Sequence, residues 1–320
     1  MAETKARTPS ESVDEQRGFR YVEFPTELAW LDARRQHVTA SDFAALLGVD
    51  PYRSIFSVWA DKVQPPAHED NQAMRAGRKL EPVVAEMFAE DTGANVVDMG
   101  RWTLCVSTGA QHEAATLDRL LRMKGRQGTG VLEIKAPGYL QAEKWAEGPP
   151  LPVLIQVQAQ LAVTGYQWAE VACLIGGQDF RHFEVERNEE LIEVMHDAVA
   201  SFWPFVEKGE MPEVDPSNAT FEAVKRLYPR DTGRTVAIHE AGVLEAFKAL
   251  EAAREVKRAA EVAEGHAKAI ILAACQDAGK AIVGSDTWTL GTVTKPSYTV
   301  QPSSYRQILK QEPKKGRKQR

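Results

Sequence analysis

Five short β-like runs surround one apolar helix in the middle of the chain, and this order limits the folds that the chain can adopt. The runs are Arg101–Val106, Ala114–Leu121, Gly130–Ala136, Glu170–Ile175 and Asp179–Glu186. Between the third and the fourth, residues 151–164 carry apolar side chains at helical spacing, and Gly165 follows as a typical helix end. Further helices are predicted before the first run and after the last. The order predicts a mixed α/β (α+β) fold, in which a central sheet is flanked by helices.

The character of the sequence changes along the chain and predicts four segments. Residues 1–20 are polar and offer nothing to bury, which predicts a disordered tail. Residues 21–230 hold the alternating helices and strands of the core domain. Over residues 231–310, Ala-rich helical spacing predicts a long helix or a helical hairpin, interrupted or turned near Gly265, followed by a small β appendage. Residues 311–320 form a basic tail.

Composition excludes several classes of protein. With 43% hydrophobic residues among 320, the chain is too apolar to be wholly disordered. A net charge of −6 argues against a uniformly basic nucleic-acid coat, so any DNA-binding surface must be local. Three cysteines without zinc-finger spacing argue against a disulfide framework or a structural zinc site. Because no long apolar run is present, we expect a cytoplasmic protein without a membrane segment.

Two acidic residues and a lysine stand where they can build a metal site. Within the run Gly130–Ala136 side chains alternate between faces, so Glu133 and Lys135 share one side. If the preceding run folds back as an antiparallel partner, Asp118 lies near Glu133. Paired carboxylates, with the carbonyl of Ile134 as a further ligand, suit Mg²⁺. A lysine beside such an ion suits phosphodiester hydrolysis, although an ordinary ion pair is the alternative for this short motif.

Three further polar residues are candidates, and each has a structural alternative. Glu81 stands near the start of a predicted helix over Gly77–Thr92, where it supplies another carboxylate or only offsets the helix dipole. Gln156 and Gln160 are four residues apart and share one face of the predicted apolar helix. That face either holds a ligand beside a phosphate or is solvated.

Five stretches, taken in order, resemble the motifs of a known family. They are TASDFAALLGVDPYRS, AGRKLEPVVAEMFAEDTG, ATLDRLL, GVLEIKAP and IQVQAQLAVTGYQWAEVACLIGG. Over about residues 28–210 the chain resembles the YqaJ-type viral recombinase family, which contains the phage lambda exonuclease and belongs to the PD-(D/E)XK nuclease superfamily. The resemblance implies a restriction-endonuclease-like core. It also implies a metal-dependent 5′-to-3′ exonuclease that degrades one strand of linear double-stranded DNA and leaves a 3′ overhang.

The resemblance assigns roles to individual residues. Glu81, Asp118 and Glu133 match the residues that bind Mg²⁺, for which Mn²⁺ is a possible substitute. Lys135 matches the lysine that positions or activates the water, and Gln156 matches an assisting glutamine.

The resemblance also implies a pocket for a terminal 5′-phosphate. Arg34 and Ser41 match its arginine and serine, and Arg53 is a looser third candidate. A terminal phosphate carries more charge than an internal one, so such a pocket can select strand ends. The chain departs from the family around the metal-binding aspartate, where the usual Pro-Asp-Gly is replaced by Leu117–Asp118–Arg119.

Partners and alternatives follow from the same resemblance. It implies double-stranded DNA ends, a single-strand annealing protein of the RecT or Red beta type, and a homo-oligomer in the form of a ring-shaped trimer. It also implies a phage or prophage protein that acts in a bacterial cytoplasm. Two other functions stay open: a PD-(D/E)XK endonuclease or repair nuclease, and a catalytically inactive DNA-end-binding partner of an annealing protein.

Overall fold

A computed structural model describes residues 10–14, 18–65, 71–294 and 307–308. The chain divides into two compact units, Met1–Tyr228 and Pro229–Arg320, called here the first and second units. The predicted basic tail over 311–320 lies outside the described residues.

Strands and helices alternate along the described chain. The strands are β1 Ser10–Asp14, β2 Phe19–Glu23, β3 Val38–Thr39, β4 Asn95–Asp98, β5 Thr103–Ser107, β6 Glu113–Ala115, β7 Arg119–Arg122, β8 Gly130–Lys135, β9 Trp168–Ile175, β10 Asp179–Glu186, β11 Lys280–Val283 and β12 Asp286–Thr289. The helices are α1 Glu27–Arg35, α2 Phe43–Leu46, α3 Ile55–Val63, α4 Gln72–Thr92, α5 Leu151–Thr164, α6 Glu189–Lys208, α7 Asn218–Leu227 and α8 Ala241–Cys275. Ala40–Asp42 and Tyr139–Trp145 form short 3-10 helices.

The first unit contains two mixed sheets, so the predicted mixed α/β fold is confirmed while its single central sheet is divided. One sheet has the order β1-β2-β5-β6-β3, and the other has the order β10-β9-β8-β7-β4. Each sheet contains one parallel pair, β3 with β6 and β8 with β9, among antiparallel neighbours. The parallel pair β8–β9 is joined through α5, which is the long crossover that parallel strands need.

Local end signals explain why several helices begin and end where the sequence predicts. Ser54 forms a capping box with Ser57 at the start of α3. Asn188 caps α6, and its side chain accepts a hydrogen bond from the backbone N–H of Leu191. Gly165 ends α5 with φ 68°, a left-handed conformation that glycine adopts without steric cost.

The predicted strand over residues 114–121 is wrong in one respect, because it is two strands that belong to different sheets. β6 pairs with β5, whereas β7 pairs with β8. The chain leaves the first sheet after Ala115 and enters the second at Arg119. Asp118 lies in the bend between them, so its side chain is not committed to either face of a regular strand.

The central strand β8 is covered by helices on both faces. Leu132 and Ile134 pack in one apolar cluster with Val84 and Phe88 of α4. Val131 packs on the other side, in the cluster that holds the apolar residues of α5. Because side chains alternate along a strand, Glu133 also points toward α5. The fold thus buries an ionisable residue, Glu133, in the middle of the second sheet.

The expectation of a disordered tail over residues 1–20 is wrong for Ser10–Asp14. These residues form β1, whose register pairs Ser10 with Glu23 and Asp14 with Phe19. Its backbone groups pair with the edge of β2. Composition alone does not reveal such edge pairing.

Of the two predicted forms, the second unit contains the long helix and not the helical hairpin. The helix α8 runs without interruption over Ala241–Cys275, and Gly265 lies inside it. A glycine inside a helix costs only about 1 kcal/mol relative to alanine, and the surrounding Ala and Glu residues favour the helix. The predicted small β appendage is present as the hairpin β11–β12, with a turn at Gly284.

Within the described parts of the chain, none of the helices combines the length and the apolar character that crossing a bilayer requires.

The start of β8 provides a stability test of this packing. A Cβ atom added at Gly130 would lie 2.5 Å from the ring of Trp168. We therefore expect Gly130→Ala to lower the free energy of unfolding by about 1–3 kcal/mol, as overpacking does. Gly77→Ala is the control, because a Cβ there meets nothing within 4 Å. That helical substitution should raise stability by about 0.5–1 kcal/mol. Urea unfolding measures both, and a Gly130→Ala protein as stable as the parent would contradict the packing.

Candidate active site

The antiparallel pairing of β7 and β8 brings Asp118 and Glu133 together. Its register pairs Arg119 with Leu132, so Asp118, one residue earlier, stands opposite Glu133. Asp118 is fixed there because its Oδ2 accepts a hydrogen bond from the backbone N–H of Ile134, at 2.8 Å. Two carboxylates from separate strands therefore share one end of the second sheet.

Glu133 is almost fully buried, with 2% of its surface exposed, and three side chains satisfy its carboxylate. Oε1 accepts hydrogen bonds from Lys135 Nζ at 2.5 Å and from Gln156 Nε2 at 2.7 Å. Oε2 accepts from Gln160 Nε2 at 2.6 Å. Lys135 Nζ also donates to Gln156 Oε1 at 3.0 Å, which closes a small network. A buried carboxylate is tolerated only with such partners.

Lys135 stays protonated in this environment. Burial opposes the charged form, but the carboxylates of Glu133 and Asp118 outweigh it and hold the pKa of Lys135 above its ordinary value. At neutral pH the side chain is therefore an ammonium that donates hydrogen bonds. This state suits it to stabilise negative charge and to orient an oxygen nucleophile, rather than to remove a proton.

In contrast to Lys135, Asp118 lies in surroundings that disfavour its charged form. Burial raises its pKa well above the ordinary range, and the nearby charge of Glu133 adds to the effect. Lys135 lowers this pKa without cancelling the rise. The pair therefore holds more negative charge than its protein surroundings neutralise. The oxygen donors of Asp118 and Glu133, with the carbonyl of Ile134 between them, fit a hard divalent cation in their chemistry.

The third predicted carboxylate, Glu81, is held by another residue. Arg119 donates from Nη1 to Glu81 Oε1 at 2.5 Å and to the carbonyl of Asp118 at 2.5 Å. Its other terminal nitrogen lies 3.7 Å from Asp98 Oδ2. Glu81 is near enough for its charge to raise the pKa of Asp118. Across the described residues, however, no group of three His, Cys, Asp or Glu side chains converges closely enough to hold an ion.

The residues predicted to bind a terminal phosphate lie at the junction of α1, β3 and the 3-10 turn. Arg34 donates from Nη2 to Ser41 Oγ at 3.2 Å and to Thr39 Oγ1 at 3.3 Å. Its guanidinium also lies 4.5 Å from the centre of the Trp30 ring. Arg34 and Ser41 are thus brought together, and each keeps hydrogen-bonding capacity beyond these contacts.

Arg53 is placed nearby but is occupied. It donates from Nη1 to Asp42 Oδ1 at 2.5 Å and from Nη2 to Asp61 Oδ2 at 2.8 Å. Lys62 donates to the other oxygen of Asp42 at 2.7 Å. The charges of Lys62 and Arg53 outweigh burial and hold the pKa of Asp42 far below its usual range. Arg53 therefore stabilises this cluster through its ion pair with Asp42. Arg34, the other arginine of the cluster, contacts no carboxylate among the described residues.

Three residues with contacts in these two clusters have no specific role predicted from the sequence. Gln160 was noted only as a neighbour of Gln156 on the same helical face, although that spacing was itself the signal. Arg119 was recognised as a departure from the family pattern, but its partner Glu81 is distant in sequence. Lys62 lies inside an apolar helix and is 7% exposed. A lysine in such a position indicates a buried ion pair.

Comparisons with known proteins agree with the resemblance seen in the motifs. A family model described as a YqaJ-like viral recombinase domain matches residues 29–167. The uncharacterized protein YqaJ of Bacillus subtilis (strain 168) is 31% identical over 207 residues, which cover 62% of this chain and 62% of that protein. The chain therefore spans less than two thirds of this relative. The predicted resemblance to the YqaJ-type family is confirmed.

Two solved structures are similar to the chain. The alkaline exonuclease LHK-Exo from Laribacter hongkongensis, in complex with dAMP, is 24% identical, with a TM-score of 0.49, and the match covers 62% of this chain and 96% of that one. A phage related exonuclease from Haemophilus somnus 129PT is 12% identical, with a TM-score of 0.39, over 54% of this chain and 94% of that one.

The raised pKa of Asp118 predicts a pH-dependent gain in stability for Asp118→Asn. Because the folded protein binds this proton more tightly than the unfolded chain does, the free energy of unfolding falls as the pH rises from about 4 through the folded-state pKa. The neutral amide escapes that loss and still accepts from Ile134. In EDTA the variant should be more stable than the parent at pH 7, and the two should converge near pH 3.

Thermal unfolding at several pH values measures this difference, with exposed Asp197→Asn on α6 as the control. Added Mg²⁺ should raise the unfolding temperature of the parent protein and leave that of Asp118→Asn unchanged. An Asp118→Asn protein that is less stable than the parent at every pH would contradict the electrostatic account.

Proposed function

From the YqaJ-like viral recombinase domain that residues 29–167 match, we propose that the chain is a metal-dependent nuclease acting on DNA. More specifically, we propose that it degrades one strand of linear duplex DNA from the 5′ end and leaves a 3′ single-stranded overhang. Such an overhang is the substrate that recombination by single-strand annealing requires.

One observation carries the proposal: two carboxylates and one ammonium, from β8 and from the bend before β7, lie together. Asp118 stands opposite Glu133, and Lys135 donates to Glu133. A structural ion pair needs only two opposite charges, so the second carboxylate is unexplained by stability. Burial and the charge of Glu133 raise the pKa of Asp118, so its surroundings oppose the ionised form. Unfavourable charge of this kind is typical of functional sites.

The side chains have distinct roles in this proposal. Asp118 and Glu133, with the carbonyl of Ile134, would hold Mg²⁺ or Mn²⁺, and Glu81 would join them only on leaving Arg119. When bound, such an ion supplies a polarised phosphoryl oxygen and an acidified water. Lys135, as an ammonium, donates hydrogen bonds to the attacking oxygen or to the charge that develops on the phosphate. Gln156 fixes both Lys135 and Glu133 and thereby sets their geometry.

A pocket for the strand end completes the proposed exonuclease. Arg34 and Ser41 are joined by a hydrogen bond and lie beside Lys62, which gives this region a positive character. A dianionic 5′-phosphate would accept hydrogen bonds from the Arg34 guanidinium and the Ser41 hydroxyl. Internal phosphates carry less charge, so the pocket would favour ends.

The Glu81–Arg119 ion pair favours a second candidate, a DNA-end-binding protein without catalysis. Arg119 stands where the family has glycine, and it withdraws one carboxylate from the metal-binding set. In that case the chain would retain end binding and release no nucleotides when Mg²⁺ is added. An annealing-protein partner and a ring-shaped homotrimer remain part of either proposal.

Lys135→Ala separates catalysis from binding. The substitution removes the ammonium but leaves Asp118 and Glu133, so we expect DNA binding within about twofold of the parent. The initial rate of nucleotide release should fall by about 10²–10³, as for the loss of one preorganised donor. Gel shifts in Ca²⁺ and acid-soluble release in Mg²⁺ measure the two quantities, and Lys208→Ala, at the exposed end of α6, is the control. Unchanged release by Lys135→Ala would refute the role of the lysine.

Substrate ends test the mode of attack. A linear duplex with a labelled 5′-phosphate should be degraded in Mg²⁺, a 5′-hydroxyl duplex more slowly, and a closed circle not at all. Arg34→Ala should reduce the preference for the 5′-phosphate by about tenfold, the effect of a charge-assisted hydrogen bond. Exposed Arg122→Ala should keep it. Cleavage of the circle at a comparable rate would instead establish an endonuclease.

A further inference from the structure

A cavity separate from the carboxylate pair lies between the turn before β6 and the helix α6. Its volume is about 760 Å³, and its walls include Glu113, His112, His196, Trp203 and Glu207. It also meets the last turn of α5 at Ala162 and Gly165. No residue of the carboxylate pair or of the Arg34–Ser41 pocket lines it.

A buried carboxylate with a spare oxygen forms part of this cavity. Glu113 is 2% exposed, and its Oε1 lies 2.6 Å from His196 Nδ1. Its other oxygen, Oε2, is buried and has no hydrogen-bond partner among the residues that the structure describes. Leaving a buried acceptor unsatisfied is costly, and more so for a charged group. Because Glu113 is part of the cavity wall, a small shift of its side chain would let this oxygen accept a hydrogen bond from a group that enters the cavity.

His112, which precedes Glu113 in the cavity wall, is held in a defined and costly backbone conformation. His112 has φ 62°, a left-handed conformation that non-glycine residues adopt only where their surroundings impose it. Its carbonyl accepts from the backbone N–H of Val38 at 2.6 Å, and its ring stacks on Trp203 with 4.2 Å between the ring centres. His112 Nε2 also lies 3.6 Å from Glu207 Oε1. The cavity is thus a built feature rather than a gap between loops.

The charges of the residues that line the cavity limit the kind of ligand that it can bind. Glu113 and Glu207 are acceptors, whereas the one arginine of the cavity, Arg187, is already engaged. Its Nη1 donates to the carbonyl of Leu161, and its Nε and Nη2 donate to Glu189. An anion would meet two carboxylates, and the described side chains do not form a cluster that could hold a metal ion. His196 and His112 each lie beside one of the two carboxylates, and Oε2 of Glu113 is left without a partner among the described residues. A cation that donates hydrogen bonds complements that oxygen and the charge of both carboxylates.

We propose that this cavity binds an alkylammonium group, which donates to Oε2 of Glu113 and is attracted by Glu207. The same chemistry is carried by a free polyamine and by the lysine side chain of a protein. In either case the ligand sits on β6, five residues before Asp118, and on α6.

Calorimetric titration of the full-length protein, without DNA or metal and at low ionic strength, tests the proposal. The probes are putrescine, for a free polyamine, and Nα-acetyl-lysine methylamide, for a protein side chain. We expect saturable binding with a stoichiometry of one site per chain. Binding of putrescine alone would identify a free polyamine as the ligand, and comparable binding of both probes would include a lysine side chain.

Glu113→Gln keeps the size of the side chain and its contact with His196 but removes the charge. It should weaken binding at least tenfold, which corresponds to about 1.4 kcal/mol. Exposed Glu193→Gln, also on α6, should bind as the parent does. If Glu113→Gln fails to fold, Glu207→Gln, whose side chain is 61% exposed, serves instead with an expected loss of about threefold. Absence of saturable binding, or equal affinity in the Glu113 or substitute Glu207 variant, would overturn the proposal.

Discussion

The buried carboxylate of Glu133 is the constraint on which the site depends. A charge removed from water is costly unless hydrogen bonds compensate it, and here every compensating group comes from a defined element. Lys135 is two residues further along β8, while Gln156 and Gln160 are on successive turns of α5. The helix must therefore lie against β8 in one register, because a shift of one residue would turn both amides away.

The same packing leaves Asp118 as the uncompensated member of the site. Its backbone contact with Ile134 fixes the carboxylate opposite Glu133, although the two negative charges repel. Stability alone would favour a neutral residue at this position. The proposed cation-binding function would account for the carboxylate, since a divalent ion would convert the repulsion into attraction.

Arg119 modifies this balance in a way that is particular to the chain. Where the family pattern has a glycine, a guanidinium reaches across to Glu81 and also bonds the carbonyl of Asp118. It stabilises the bend that carries Asp118, and it competes with any ion for the Glu81 carboxylate. Around Asp42 the balance of charge is the reverse, because positive side chains outnumber the carboxylate. Lys62 and Arg53 neutralise Asp42 and leave Arg34 available for an anion.

The sequence by itself determined the elements whose signals are local and the residues that match the family. Helix α5 covers the predicted residues 151–164 and ends at Gly165, while side-chain caps mark the starts of α3 and α6. The alternation of β8 placed Glu133 and Lys135 on one face. Tertiary structure alone decided the separation of β6 from β7 into two sheets and the pairing of β1 with the edge of β2. It also decided the pairing of Glu81 with Arg119 and the burial of Gln160. Each of these depends on contacts between residues distant in sequence, whose energies no local pattern records.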